Sequence, residues 1–275
     1  MPTISSEPTP PEPREPHRAR GIAESFGTDP ERYDRARPRY PDAMVRAITA
    51  ACPGPDVLDA GCGTGVSARA FQKAGCRVLG VEPDARMAGW ARRHGTEAEI
   101  AKFESWDPAD RSFDAVVSGQ AWHWVDPDAG AAKAAGILRP GGRLAVFWNA
   151  ARPPLALAEA FDDVYRRILP DFLARAQWTP TGADPYGAVC DRAAGGIRDC
   201  ASFGEPEQWR FDWERTYTRE EWLDQVPTTG GHTRLAPEEL ERVLEGVGAA
   251  VDDFGGAFTM PYTALVVTAS RTGAG

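Results

Sequence analysis

The stretch Val57-Leu58-Asp59-Ala60-Gly61-Cys62-Gly63-Thr64-Gly65, with the acid Glu82 beyond it, carries residue types and spacings suited to holding a ligand. Asp56 to Ala60 reads as a buried strand, and Gly61, Gly63 and Gly65 fall where that strand turns into a helix. Glycines permit positive φ and leave no side chain between backbone and ligand, so a nucleoside can lie against the loop and the next helix N-terminus. Asp59, at the strand's end, is placed to hold an ammonium group. In such folds an acid about 20 residues past the first glycine, closing the next strand, accepts hydrogen bonds from ribose hydroxyls. Glu82 stands there, followed by Pro83. A glycine loop alone is weak evidence, but the loop, its flanking strand and helix and the spaced acid together are strong. A dinucleotide site would use G-x-G-x-x-G and place glycine at position 66, where the chain has Val66. No second glycine-rich crossover unit follows to hold a nicotinamide mononucleotide. A nicotinamide-dependent oxidoreductase therefore ranks second, and a turn without a ligand ranks with it.

Positioning such a site requires a sheet, and the chain spells one out. Strands and helices alternate from Asp56 to Asn149, with strands at Asp56 to Ala60, Arg77 to Val81, Glu97 to Ala101, Phe113 to Ser118 and Gly142 to Asn149. That rhythm predicts a parallel sheet covered on both faces. Gly75, Gly95 and Pro140-Gly141-Gly142 punctuate it. Upstream, Asp29-Pro30 predicts a helix start and Pro38 its stop, and Met44, Val45, Ile48 and Ala51 mark a second helix. Downstream, a long helix is expected over Leu155 to Gln177, then an irregular glycine-rich passage through Gly196. A strand near Gln208 to Trp213, helices at Arg219 to Val226 and Pro237 to Ala250, and a last strand at Ala257 to Ala269 complete the expectation. The last strand is expected antiparallel, at the sheet edge.

The organisation that follows is a disordered Pro-rich tail over 1–25, a core with an N-terminal lid helix over 26–150, a helical cap insertion over 151–204, and the rest of the core over 205–275. A formal net charge of -9 with no basic cluster argues against nucleic acid as partner, and no apolar run is long enough to span a bilayer. Five scattered cysteines without a C-x-x-C pair predict reduced thiols and no metal site. The first residues lack the apolar core of a secretory signal, so a cytoplasmic location is expected.

Asp59-Ala60-Gly61-Cys62-Gly63-Thr64-Gly65, Gly80-Val81-Glu82-Pro83-Asp84, Ala121-Trp122-His123-Trp124 and Leu138-Arg139-Pro140-Gly141-Gly142 resemble the class I methyltransferases of the type-11 group. Arg32-Tyr33 with Ala36-Arg37-Pro38-Arg39-Tyr40-Pro41 and the Trp-His-Trp element resemble the trans-aconitate methyltransferase-like branch. The resemblance implies an α/β, Rossmann-like fold of seven strands, mostly parallel with an antiparallel last strand. It also implies S-adenosyl-L-methionine as methyl donor and a small-molecule acceptor, a small acid or a secondary metabolite. Related enzymes often use an Asp after the third strand for the adenine amine; here Ala101-Lys102-Phe103-Glu104 departs from that pattern, so the contact passes to Glu104 or the Phe103 backbone.

Displacement at a sulfonium depends on alignment and exclusion of water, with a base useful where the acceptor arrives protonated. His123, after the strand Phe113 to Ser118, is the candidate catalytic base; its other reading is to orient Trp122 and Trp124. Trp122, Trp124 and Trp148 offer ring faces to a cation or simply pack in the core. Tyr33 is expected over the donor. Tyr40, Arg37 and His232 are expected near the acceptor, with Arg37 pairing a carboxylate of donor or acceptor. A solvated turn is the bland alternative for the arginine, and a solvated loop for His232. A protein that binds the donor without turnover stays open, as does the oligomeric state.

Overall fold

The computed structural model describes residues 24–170, 172 and 186–273; the tail expected over 1–25 lies almost wholly outside them, and the helix expected over Leu155 to Gln177 is corrected, ending at Ile168 where Leu169 leaves the helical conformation ahead of Pro170. Seven strands form one sheet in the order β3-β2-β1-β4-β5-β7-β6: β1 Asp56–Ala60, β2 Arg77–Glu82, β3 Glu97–Ile100, β4 Phe113–Gly119, β5 Leu138–Ala151, β6 Glu207–Thr218 and β7 Ala257–Ser270. The first five pair in parallel, and β7 runs antiparallel to both neighbours. This is a doubly wound, Rossmann-like sheet with a reversed last strand. The expected edge position of β7 is corrected: it lies between β5 and β6, paired from Arg143–Ser270 to Ala151–Tyr262 on one side and along all of β6 on the other. Its residues from Tyr262 to Ala269 are buried, as an inner strand requires.

Helices α1 (Pro30–Ala36), α2 (Asp42–Ala50), α3 (Val66–Lys73), α4 (Ala85–Arg93), α5 (Pro127–Ile137), α6 (Leu155–Ile168), α7 (Gly187–Asp199), α8 (Arg219–Gln225) and α9 (Pro237–Asp253) surround it. Alternate strand residues point to opposite faces. Val57, Val117 and Phe147 meet Met44 and Ile48 of α2 and Phe71 of α3, while Leu58, Val116 and Val146 meet Ala131 and Ala134 of α5 and Ala193 and Ile197 of α7. A third cluster joins α6, α8 and α9 to Tyr217, Phe258, Met260 and Tyr262 at the far end of the β6–β7 ribbon.

From Gly187 on, the glycine-rich passage expected to be irregular is the helix α7; its earlier part, up to residue 185, lies outside the described residues. A Cβ on Gly196 would stand 2.8 Å from the Pro127 carbonyl oxygen. Here glycine lets two helices touch, instead of breaking one. The stretch 151–204 thus supplies helices with different partners, α6 in the third cluster and α7 on the sheet face. Among the described residues no helix is long and apolar enough to cross a membrane.

Candidate active site

The strand order reverses between β1 and β4, so the loops leaving their carboxyl ends part and open a crevice. A cavity of about 550 Å³ lies there, within the range of small-molecule sites. Its floor is the glycine loop. Gly61, Gly63 and Gly65 take φ of 73°, 56° and 88°, the left-handed region that disfavours a side chain. A Cβ on Gly61 would come within 2.6 Å of the Ala121 Cβ, and one on Gly65 within 2.7 Å of Thr96 Oγ1. Gly61 and Gly63 line the cavity; Gly65 does not, and serves instead as the left-handed cap from which α3 starts.

Glu82, at the end of β2, accepts the Gly63 N–H on Oε2 and the Asp84 N–H on Oε1, both at 2.9 Å. Each oxygen keeps a lone pair for a diol hydroxyl. Burial pushes this carboxyl up to about 7, against the two backbone N–H groups that pull it down. Pro83, Phe103 and Glu104 complete this end of the cavity, with Lys102 in place of an acid. Glu104 also accepts the Asp126 N–H at 3.3 Å.

Asp59 is not where the sequence reading put it. It is fully buried, lies off the cavity wall and accepts the Ser67 hydroxyl at 2.5 Å; burial raises its pKa to about 7. It ties β1 to the first turn of α3 behind the loop, so direct contact with a ligand ammonium is corrected to a supporting position.

Tyr33 and Arg37 come from α1 and its end. Their cation–ring contact of 4.9 Å leaves the Arg37 guanidinium at the wall with one long bond, 3.4 Å, to the Thr228 carbonyl oxygen. No carboxylate of the described residues lies within ion-pair distance of it. Tyr40 is corrected from the main cavity to a small recess of about 40 Å³ beside it, shared with Tyr33, Arg37 and Gly119, where its ring meets Phe147 edge-on at 4.8 Å. Helix α1 is tied to α8 by a two-pronged pair, Arg35 Nε to Asp224 Oδ2 at 2.9 Å and Nη2 to Oδ1 at 3.0 Å. Both helices wall the cavity.

The Trp-His-Trp element forms one 3-10 turn, and its three rings part company. Trp122 packs in the core beside Phe103 and does not reach the cavity, which corrects its expected role. Trp124 and His123 line it. His123 Nδ1 accepts the Trp148 indole N–H at 3.2 Å, so the neutral ring carries its proton on Nε2. Burial first, and then the cations Arg37 and Arg192, lower its pKa to about 4. The ring is a weak base, set as a donor.

His232 is corrected from an acceptor-site residue to a buried clamp. It is 1% exposed and off the cavity wall, giving Nδ1–H to the Thr229 carbonyl oxygen and accepting the Tyr165 hydroxyl on Nε2 at 2.7 Å. Its neighbour Thr229 does line the cavity.

Sequence reasoning missed Gln120, Asn149, Tyr186, Trp222, Gln225 and Tyr262, all on the cavity wall. Gln120 holds φ of 56°, rare for a side-chain-bearing residue, and gives its backbone N–H to the Phe147 carbonyl oxygen at 2.8 Å. Asn149 gives an N–H to the Arg39 carbonyl oxygen and accepts the Trp213 indole N–H. No local pattern marks any of these; they meet only because β7 returns beside β5 and α8 folds over the opening.

Residues 58–146 match the family model described as a methyltransferase domain, of the type-11 group. An uncharacterized methyltransferase of Mycobacterium tuberculosis is 38% identical over 132 residues, 47% of this chain and 54% of that one. A malonyl-[acyl-carrier protein] O-methyltransferase of Hahella chejuensis is 34% identical over 133 residues, 45% of this chain and 47% of that one. The chain spans about half the length of the curated relatives it matches. Among solved structures, a candidate type II methyltransferase from Anaeromyxobacter dehalogenans aligns with a TM-score of 0.59 at 23% identity, covering 86% of this chain and 97% of that one. A candidate methyltransferase of an antibiotic biosynthesis pathway from Anabaena variabilis gives 0.56 at 17% identity over 85% and 98%. These two establish the fold.

Proposed function

We propose that the protein transfers a methyl group from S-adenosylmethionine to a small acid. The observation that carries the donor half is the junction of Gly61, Gly63 and Glu82: two left-handed glycines, the first with no room for a Cβ, and a carboxylate held by the loop's own N–H with lone pairs to spare, facing the cavity. The fit is chemical. Glu82 takes the ribose hydroxyls, Phe103 and Glu104 flank the adenine, and the recess beside Tyr33 and Tyr40 takes the methionine end. Once bound, the donor supplies an electrophilic methyl on a positive sulfur. The protein's share is alignment and exclusion of water.

The acceptor half rests on Arg37 and His123. An arginine at the cavity wall without a carboxylate partner calls for an anion. His123 holds its proton on Nε2, since Nδ1 is taken by Trp148, and so orients an anionic acceptor by donation instead of deprotonating a neutral one. A carboxylate arrives ionised and needs no base. The likeness of Ala36 to Pro41 to the trans-aconitate methyltransferase-like branch supports the same class, and the Hahella relative is named as an O-methyltransferase.

The test is incubation with isotope-labelled donor and a library of small carboxylic acids, read by mass analysis. Labelled methyl esters are expected. Donor bound without labelled product leaves a binding protein, and label on neutral amines or phenols alone contradicts the acid reading.

A further inference from the structure

The two edges of the sheet differ in what they leave open. β3, at one edge, is only four residues long. β6, at the other, runs for 12 residues with no proline and pairs with β7 along its whole length without a shift of register. Apart from that ladder, no backbone-to-backbone hydrogen bond reaches any residue from Glu207 to Thr218 among the described residues. The outer row of N–H and C=O groups on β6 is therefore open to another strand.

The side chains of β6 say which strand fits. Gln208, Arg210, Asp212 and Glu214 share one face and are exposed, while Trp209, Phe211 and Trp213 share the other and are half-buried. Arg210 and Glu214 have no ion-pair partner among the described residues. Asp212 accepts the Thr263 hydroxyl on Oδ1 at 2.6 Å, which holds its carboxylate in place.

A second copy of β6 can lie antiparallel about a two-fold axis normal to the sheet. Such an axis keeps like faces together and passes through one residue, which meets its own copy. With Phe211 on the axis, Arg210 falls opposite the partner's Asp212, Asp212 opposite the partner's Arg210, Trp209 opposite the partner's Trp213 and Gln208 opposite the partner's Glu214. Farther out Glu207 meets the partner's Arg215, and Pro206, which has no N–H to give, ends the ladder. Moving the axis by one residue destroys the match. On Arg210 it sets two guanidinium groups face to face, and on Asp212 two carboxylates. Opposite charges and aromatic pairs facing each other across strands attract and like charges repel, so the pattern selects one register over both its neighbours.

We propose that β6 is the interface of a homodimer in which two copies of this chain pair antiparallel at Phe211 and join their sheets into one. The proposal concerns assembly and stands apart from the methyl-transfer reading.

Sedimentation velocity of the full-length protein across micromolar concentrations is expected to show a dimer. Arg210→Asp sets carboxylates opposite one another on both sides of the axis. With two pairs changed from attractive to repulsive, the dimer is expected to weaken roughly 4- to 800-fold. Arg210→Lys keeps the charge and retains the dimer. Asp212→Arg alone also loses it, by facing two cations. Mixed in equal amounts, Arg210→Asp and Asp212→Arg bring opposite charges together and are expected to form a heterodimer, although neither pairs with itself. Melting curves confirm that each variant folds. A wild type that stays monomeric, a dimer that Arg210→Asp leaves intact, or folded single variants that fail to associate when mixed overturns the proposal. If Asp212→Arg does not fold, the contrast at position 210 decides: equal dimerisation of Arg210→Asp and Arg210→Lys counts against it.

Discussion

Replacing Glu82 by Gln separates what the carboxylate does for the fold from what it does for a ligand. In the free protein the ionised carboxylate is unfavourable: burial raises its pKa from 4.5 to about 7, which corresponds to about 3 kcal/mol against the charged form at high pH. The amide carries no such penalty. It does turn a donor NH2 toward either the Gly63 or the Asp84 N–H, losing one of two 2.9 Å bonds. A lost bond of this kind costs about 1–3 kcal/mol, so the two effects offset and the melting temperature of Glu82→Gln stays near that of the wild type. For the donor there is no offset. One ribose hydroxyl loses its charged acceptor, a bond worth about 1.5–3 kcal/mol, and the other meets a neutral one. A total of about 2–4 kcal/mol corresponds to a rise in Kd of roughly 30- to 900-fold. Calorimetric titration with S-adenosylhomocysteine at pH 8, paired with melting curves, reads both. A Kd within threefold of the wild type refutes the role given to Glu82, and a weaker Kd that merely follows a collapsed melting temperature refutes the reasoning on burial.

The same carboxyl predicts a pH dependence: the ligand selects the ionised form, so binding releases a proton below about pH 7 and the Kd rises by up to about tenfold per unit as pH falls. Titration in buffers of different ionisation enthalpy measures this, and Glu82→Gln should flatten it. Gly61→Ala places a side chain at φ of 73° and 2.6 Å from the Ala121 Cβ. About 1–2 kcal/mol of backbone strain, together with a displaced cavity wall, is expected to weaken donor binding at least tenfold, by calorimetry, with a small loss in melting temperature. His232→Leu removes two ring hydrogen bonds, from the Tyr165 hydroxyl and to the Thr229 carbonyl oxygen, the latter oxygen keeping the backbone N–H of residue 232, and is expected to cost about 1–3 kcal/mol at pH 7.5 by denaturant melts. Burial lowers the His232 pKa from 6.5 to about 4, so its contribution is present above the unfolded value and is lost as pH falls through the folded one. The gap between wild type and variant should therefore narrow from pH 6.5 toward 4.

What the sequence made legible was local. β1 and α4 fall where alternation and turn residues put them, because strand and helix periods and glycine punctuation act over a few residues. The donor end of the cavity was legible for the same reason: loop, strand end and acid lie within one crossover unit. What went astray depended on distant packing. Gly196 looked like a breaker and is a contact point against Pro127; Asp59 looked like a ligand group and is buried behind the loop, with Oδ2 on Ser67. Trp122 and Trp124, two residues apart, go to core and cavity because the turn between them is 3-10. Gln225 and Tyr262 had no signal at all, since they meet only through the pairing of β7 with β6 and the seating of α8.

The glycine loop and Glu82 can be tested against the nicotinamide alternative in one measurement: equilibrium titration of the wild-type protein with S-adenosylmethionine and, separately, with reduced nicotinamide adenine dinucleotide. Saturable one-to-one binding of the first and none of the second is expected. Binding of the reduced nicotinamide, or no affinity for S-adenosylmethionine, contradicts it.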